Sequence, residues 1–204
     1  MTLRDVDTFL ELQTQTGWGR TLAGFAAWCQ AQPGWRVLDV GCGPGLLPAL
    51  FARQGCNALG LDLEADMFLP QPLHPQVLVA HGEALPFPGG MFDLVTASNL
   101  LFLLEQPAPA VVELRRVLCA GGRLCLLNPS EAMSVQAAGM LADQRGLDGL
   151  ARETLLNWAR RAESYARWDA EALAGLLEAA GLKLERTELR VGSGLARLAC
   201  ALRV

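Results

Sequence analysis

Apolar residues in this chain follow two spacings, and the spacing changes from segment to segment. At the N-terminus Leu3, Val6, Phe9 and Leu10 recur at helical intervals behind Thr2, a good N-cap residue. A second helical stretch runs from about Arg20 to Gln30 and ends at Pro33-Gly34. From Trp35 onward, short β-rich runs alternate with helical patterns. Strands are predicted over residues 36–40, 58–63, 76–80, 92–98 and 123–127, with helices over 46–54 and 108–118 and a glycine turn at Gly121-Gly122. This alternation predicts parallel strands joined by right-handed crossovers, an α/β fold. Residues 130–167 predict two helices and no strand, and Asp169 caps an amphipathic helix ending at Gly181. The last two runs, 183–191 and 195–203, are close enough to pair antiparallel across Gly192-Ser193-Gly194.

At 204 residues the chain fits one domain, long enough to bury roughly 70% of its unfolded surface. Apolar residues make up 51% and charged residues 19%, which argues against long disorder. The net charge is −4 and no lysine or arginine stripe forms, so nucleic acid is not expected as a bulk electrostatic partner. The six cysteines, at 29, 42, 56, 119, 125 and 200, include no C-x-x-C pair. That suits free thiols in a reducing compartment better than a disulfide frame or a metal site, and no metal is expected. Residues 1–16 are polar and amphipathic, unlike a signal peptide, and the most apolar run, 100–104, is too short for a membrane span. A cytoplasmic location is the expectation.

The run from Arg36 to Gly45 is the most informative. An apolar strand meets Asp39, and glycines follow at 41, 43 and 45 before a helix begins. A strand that turns through glycines into a helix aims backbone N–H groups at a ligand, and a Cβ there would block close approach or forbid the turn. The spacing is G-x-G-x-G. The dinucleotide fingerprint has its third glycine one position later, where this chain has Leu46. Asp62 lies 21 residues past Gly41, at the end of Gly60-Leu61-Asp62. A carboxylate there suits a ribose, because it accepts from both hydroxyls; the other role for such a residue is a helix cap.

Residues 37–45 resemble the glycine loop of class I S-adenosylmethionine-dependent methyltransferases, hhDhGCGxG with h apolar. Ala80-His81-Gly82-Glu83-Ala84-Leu85-Pro86-Phe87, followed by Phe92-Asp93-Leu94-Val95, resembles the G-D-A-E-x-L-P-F … F-D-x-V segment of small-molecule methyltransferases, including those of quinone biosynthesis. Glu113 to Gly122 resembles E-h-x-R-V-L-x-P-G-G, with Ala120 in place of proline. The likeness is specific over 35–128 and architectural from 169 onward. It implies a Rossmann-like, seven-stranded, mostly parallel sheet with the last strand antiparallel and helices on both faces. The implied layout of 1–204 is a single domain: N-terminal helices (1–34), a cofactor-binding core (35–128), a helical insertion (130–167), and a C-terminal helix and hairpin (169–204).

The resemblance implies S-adenosylmethionine as cofactor and assigns the site residue by residue. Asp39 orients the loop near the methionine end of the cofactor. Gly41, Gly43 and Gly45 pack their backbone against its amino-acid and ribose portions, with main-chain contacts from Cys42. Asp62 takes the ribose, Leu63 flanks the adenine and Met67 packs nearby. His81 stands where many members have an aspartate that accepts from the adenine amino group; either it takes over that role or it is a solvated loop residue. Gly82 presents its N–H to the ring, with Glu83 in the same turn. Asn99 and Leu100 meet the methionine part, and Asp93 braces the start of its strand. Residues 101–104 are either core or the substrate mouth.

The implied reaction is direct displacement at the sulfonium methyl, with a small-molecule acceptor and no catalytic residue assigned. Such a transfer rests on positioning more than on acid–base help. Glu131 and Tyr165 are the nearest candidates for a base, and His74 lies in the 70–75 loop. The 130–167 insertion exceeds a minimal crossover. It is either a cover over the site, with Met133, Met140, Trp158, Tyr165 and Trp168 on its inner face, or packing helices or a dimer surface. As a cover it favours a partly apolar or aromatic acceptor, with Trp18 and Arg20 closing the pocket from the N-terminal side and Arg20 near the cofactor carboxylate. A monomer or homodimer is expected. A cofactor-binding regulatory subunit without turnover is the alternative, and a nicotinamide-dependent oxidoreductase is disfavoured by Leu46.

Overall fold

The computed structural model describes residues 6–67, 73 and 76–204. Thr2, Leu3, His74 and the side chains of Val6 and Phe9 lie outside the described residues. Helix α1 (Val6–Gln15) passes through Thr16 into α2 (Gly17–Trp28). The Thr16 hydroxyl accepts from Trp18 N at 3.1 Å, and this cap starts α2 three residues ahead of the sequence-based start at Arg20. Strands and helices then alternate: β1 (Arg36–Val40), α3 (Leu46–Arg53), β2 (Asn57–Asp62), β3 (Val77–Val79), β4 (Phe92–Ser98), α4 (Pro107–Val117) and β5 (Leu118–Pro129). Helices α5 (Val135–Gln144) and α6 (Gly149–Ser164) form the insertion, and α7 (Ala170–Ala179) leads to β6 (Leu182–Arg190) and β7 (Ala196–Arg203).

The seven strands form one sheet in the order β3-β2-β1-β4-β5-β7-β6. β1 to β5 pair in parallel, whereas β7 runs antiparallel to both β5 and β6. The strand order reverses direction between β1 and β4, which opens a crevice beyond their C-terminal ends.

Alternation along the strands splits the core in two. Leu38, Val95, Leu124 and Leu126 pack with α4 and α7 on one face. Val37, Leu94, Cys125 and Leu127 pack with α2 and α3 on the other. Helices therefore cover both faces, as the resemblance implies. β5 is longer than its sequence-based span, because it absorbs Gly121-Gly122 instead of starting after it. The glycines sit in a bulge where the register with β4 jumps from Phe92↔Leu118 to Leu94↔Arg123, with Gly121 at φ +73°.

Two braces hold the crevice in place. Asp93 at the start of β4 accepts from the Arg36 backbone N–H at 2.8 Å and from its guanidinium. Arg116 on α4 donates to Leu85 O and Phe87 O, while Glu113 accepts from Leu85 N. The 113–122 segment thus pins the 82–87 turn to the sheet.

Candidate functional site

A cavity of about 980 Å³ opens at the crevice, floored by the 41–43 turn and roofed by α1, α2 and the α5–α6 insertion. The turn is tighter than its sequence suggests. Gly41 N and Cys42 N both donate to Leu61 O, at 2.7 and 2.9 Å, and Gly43 N donates to Asp62 Oδ2 at 2.8 Å. These three N–H groups face the end of β2 and not a ligand, because β1–β2 pairing carries on past the last strand residue. What the turn offers the cavity is bare glycine surface: Gly41 and Gly43 hold φ of +76° and +53°, and a Cβ on Gly41 would lie 3.4 Å from Leu100. Gly45 (φ +92°) is not in the cavity wall; its left-handed conformation turns the chain into α3. The Cys42 thiol packs over Gly60, and burial pushes its pKa far above the ordinary range, so it is an inert packing group.

Asp39 is 1% exposed and accepts from the Thr96 hydroxyl on β4 at 2.6 Å. Burial raises its pKa to about 7, against the lowering effect of the Thr96 bond; the charge of Asp62 raises it further. The N–H groups of the adjacent 41–43 turn go to Leu61 O and Asp62 and not to Asp39. Asp62 accepts from Gly43 N through Oδ2 and from Glu64 N through Oδ1 at 3.1 Å. Each oxygen keeps a free lone pair for a ligand in the cavity.

His81 lines the cavity with half its side chain exposed, and its Nδ1 accepts from Glu83 N at 3.2 Å. With Nδ1 accepting, the neutral ring carries its proton on Nε2, so the free nitrogen is a donor. It therefore cannot accept from an amino group, the role the resemblance offered it, although it can donate to a ring nitrogen. Leu63, Met67, Gly82, Glu83, Asn99 and Leu100 all lie in the cavity wall. Leu101 is buried core, Phe102 is buried but lines the cavity, and Leu103 and Leu104 reach the cavity half-buried.

Asn99 has a left-handed backbone (φ +55°) at the end of β4, and its Oδ1 accepts from Trp158 Nε1 on α6 at 2.8 Å. The Trp158 ring also meets Trp18 of α2 edge-on at 5.2 Å. Trp18 and Arg20 line the cavity, as the sequence suggests. Of the five insertion residues expected on the inner face, Trp158 alone is there. Met133 is buried in a small core between α5 and α6, Trp168 packs on the main core, and Met140 and Tyr165 are exposed. Neither candidate base reaches the cavity. Glu131 holds Arg197 at 2.7 and 2.9 Å, and Tyr165 packs on Phe102.

Sequence reasoning missed Gln13 of α1, which is 9% exposed, lines the cavity and leaves Oε1 without a partner. It also missed Thr154, whose buried hydroxyl is unpaired in the same wall. The signal was present for the second: Ala151, Thr154, Leu155 and Trp158 share one helix face by their i, i+3, i+4, i+7 spacing.

Residues 38–126 match a protein-family profile described as "Methyltransferase domain". The chain is 32% identical over 115 residues to a ubiquinone/menaquinone biosynthesis C-methyltransferase of Paraburkholderia phytofirmans, covering 52% of this chain and 47% of that one. It is 36% identical over 109 residues to a malonyl-[acyl-carrier protein] O-methyltransferase of Erwinia billingiae, covering 52% and 42%. The chain thus spans less than half the length of these curated relatives. Magnesium protoporphyrin IX methyltransferase from Synechocystis, solved with bound S-adenosylhomocysteine, superposes with a TM-score of 0.66 at 20% identity, over 96% of this chain and 88% of that one; this likeness is one of fold.

Proposed function

We propose that this chain, whose residues 38–126 match a methyltransferase-domain family, is a class I S-adenosylmethionine-dependent methyltransferase of the kind that includes the quinone-biosynthesis enzymes, and that it methylates a small-molecule acceptor. The observation that carries this reading is the cavity itself. Its floor is glycine surface that a Cβ would fill, its wall holds the Asp62 carboxylate with lone pairs to spare, and its volume of about 980 Å³ leaves room for a second ligand beside a nucleoside.

Gly41 and Gly43 admit the cofactor's amino-acid and ribose portions, and Asp62 accepts from the ribose hydroxyls. Leu63 and Met67 flank the adenine, with Gly82 and the His81 Nε2–H at its edge. Asn99, Leu100 and Gln13 face the methionine end. When bound, S-adenosylmethionine supplies an electrophilic methyl on a sulfonium that departs as a neutral thioether. The protein's share is alignment and exclusion of water: α6 and α2 close over the site through Trp158 and Trp18, and the acceptor is held beside Asn99. No base in the wall is needed for an acceptor that ionises by itself.

The 130–167 insertion is read as a cover and not a dimer surface, within a chain that forms one methyltransferase domain. A reducing cytoplasm fits the six free cysteines. Among the described residues no helix is long and apolar enough to cross a membrane.

Calorimetric titration with S-adenosylmethionine, S-adenosylhomocysteine and NADH tests the reading. Micromolar binding of the first two alone is expected, with Asp62→Ala weakening both at least about tenfold, the scale of one charge-assisted hydrogen-bond set. Binding of NADH alone overturns it.

A further inference from the structure

The cavity is electrically divided. Its acids, Asp39, Asp62, Glu64, Asp66 and Glu83, all come from the 35–128 core, while the insertion contributes Arg145, Arg160 and Arg161 and no acid. A basic wall is unexpected in a chain of net charge −4. Among the described arginines elsewhere in the fold, Arg20, which lines the cavity from α2, and Arg53 also lack a partner, but the rest are engaged: Arg36, Arg116, Arg123, Arg152, Arg190 and Arg197 pair with carboxylates. Arg115, Arg167, Arg186 and Arg203 donate to backbone carbonyls. Arg145 and Arg161 have no partner among the described residues, and Arg160 holds only the Asn157 amide oxygen, at 2.6 Å.

Position reinforces the contrast. Arg161 is seven residues past Thr154 and three past Trp158, so it shares the helix face that lines the cavity. Arg145 follows the last turn of α5 and lines the same cavity. The Thr154 hydroxyl on that face is buried and unpaired, a polar group awaiting a ligand. Guanidinium forks match planar oxyanions by paired N–H donors, and Trp18 and Trp158 in the same cavity wall present apolar ring surface.

We propose that the methyl acceptor carries an oxyanion, a carboxylate or phosphate, held by Arg145 and Arg161 with Thr154, while its apolar body lies against the Trp18–Trp158 pair. This rests on the methyltransferase reading and adds the class of acceptor. The acidic half of the cavity keeps such a ligand off the adenosine end, and the arginine wall directs it to the cover side.

The test uses matched probes: naphthalene-2-carboxylate, 2-naphthyl phosphate and the uncharged naphthalene-2-carboxamide, titrated by calorimetry into the full chain saturated with S-adenosylhomocysteine. At least one anion is expected to bind about tenfold or more tighter than the amide, the scale of a charge-assisted pair. The arm that binds distinguishes carboxylate from phosphate. In Arg145→Gln/Arg161→Gln the preference is expected to fall below about threefold and to lose its salt dependence, while S-adenosylhomocysteine affinity and Tm stay unchanged. No charge preference in the wild type, including failure of both anions to bind, overturns the proposal, as does a preference that survives in the double variant. Absence of S-adenosylhomocysteine binding at the outset would instead sink the methyltransferase reading beneath it.

Discussion

Asp39 shows how much one buried carboxylate sets at this site. Its neighbours offer one hydrogen bond, from Thr96, and one repulsive charge, from Asp62. Its pKa of about 7 lies above the ordinary carboxylate value of 3.8, so between those pH values the folded state holds a proton the unfolded state has lost. Stability is therefore full below about pH 4, falls as pH rises toward 7, and is flat beyond, with a total loss of about 4 kcal/mol. Asp39→Asn keeps an acceptor for Thr96 without the charge. Urea unfolding of the ligand-free variant is expected to show greater stability than wild type at pH 8 and equal stability at pH 4; parallel profiles at both would disprove the account. A cationic ligand beside the carboxylate offsets the same cost. The rise in Tm on adding S-adenosylmethionine is thus expected to be larger at pH 8 than at pH 5 in wild type, and pH-independent in Asp39→Asn.

At the scale of elements, the core was legible because its rules are local. The strand-turn-helix signature and period-two alternation place β1, β4 and the glycine turn before α3 where the structure has them. The sequence was silent about which carbonyl each loop N–H would find, since Leu61 is distant in the chain, and about the inner face of the cover. Apolar and aromatic residues were expected inward, but in a two-helix insertion they fill the seam between α5 and α6 first, as Met133 does, and leave arginines over the cavity. The role of α1 was likewise hidden, because it depends on a close helix crossing at Gly19. A Cβ there would lie 2.1 Å from the Gln13 carbonyl oxygen, a backbone atom that cannot swing aside. Gly19→Ala is therefore expected to part α1 from α2 and carry Gln13 away from the 41–43 turn. S-adenosylhomocysteine affinity should fall about tenfold, with stability lowered by about 1–3 kcal/mol. Gln13→Ala should reproduce the affinity loss alone. Unchanged affinity in both variants would remove α1 from the binding site.

Over the whole molecule, two bodies of unequal robustness meet at the cavity. The sheet is buried on both faces by α2, α3, α4 and α7, whereas α5 and α6 close a separate small core of Met133, Ala138, Leu141, Ala159, Ala162 and Leu195. Among the described residues the insertion is tied to the sheet by few polar links: Ser130 to Leu195 O and Gly194 O, the Glu131–Arg197 ion pair at its base, and Trp158 on Asn99. A unit with its own core and few ties opens without unfolding the rest. Amide hydrogen exchange is expected to be fastest in α5–α6 and slowest in β1, β4 and β5. S-adenosylhomocysteine should slow α6 beyond any global stabilisation, because the residue that anchors Trp158, Asn99, itself lines the cavity proposed to hold the cofactor. Trp158→Phe keeps the ring against Trp18 but deletes the N–H donor. In that variant the cofactor should still protect the 41–43 turn while α6 exchanges as fast as without ligand. Equal protection of α6 in variant and wild type would mean that the cover senses the cofactor through packing and not through the Trp158–Asn99 hydrogen bond.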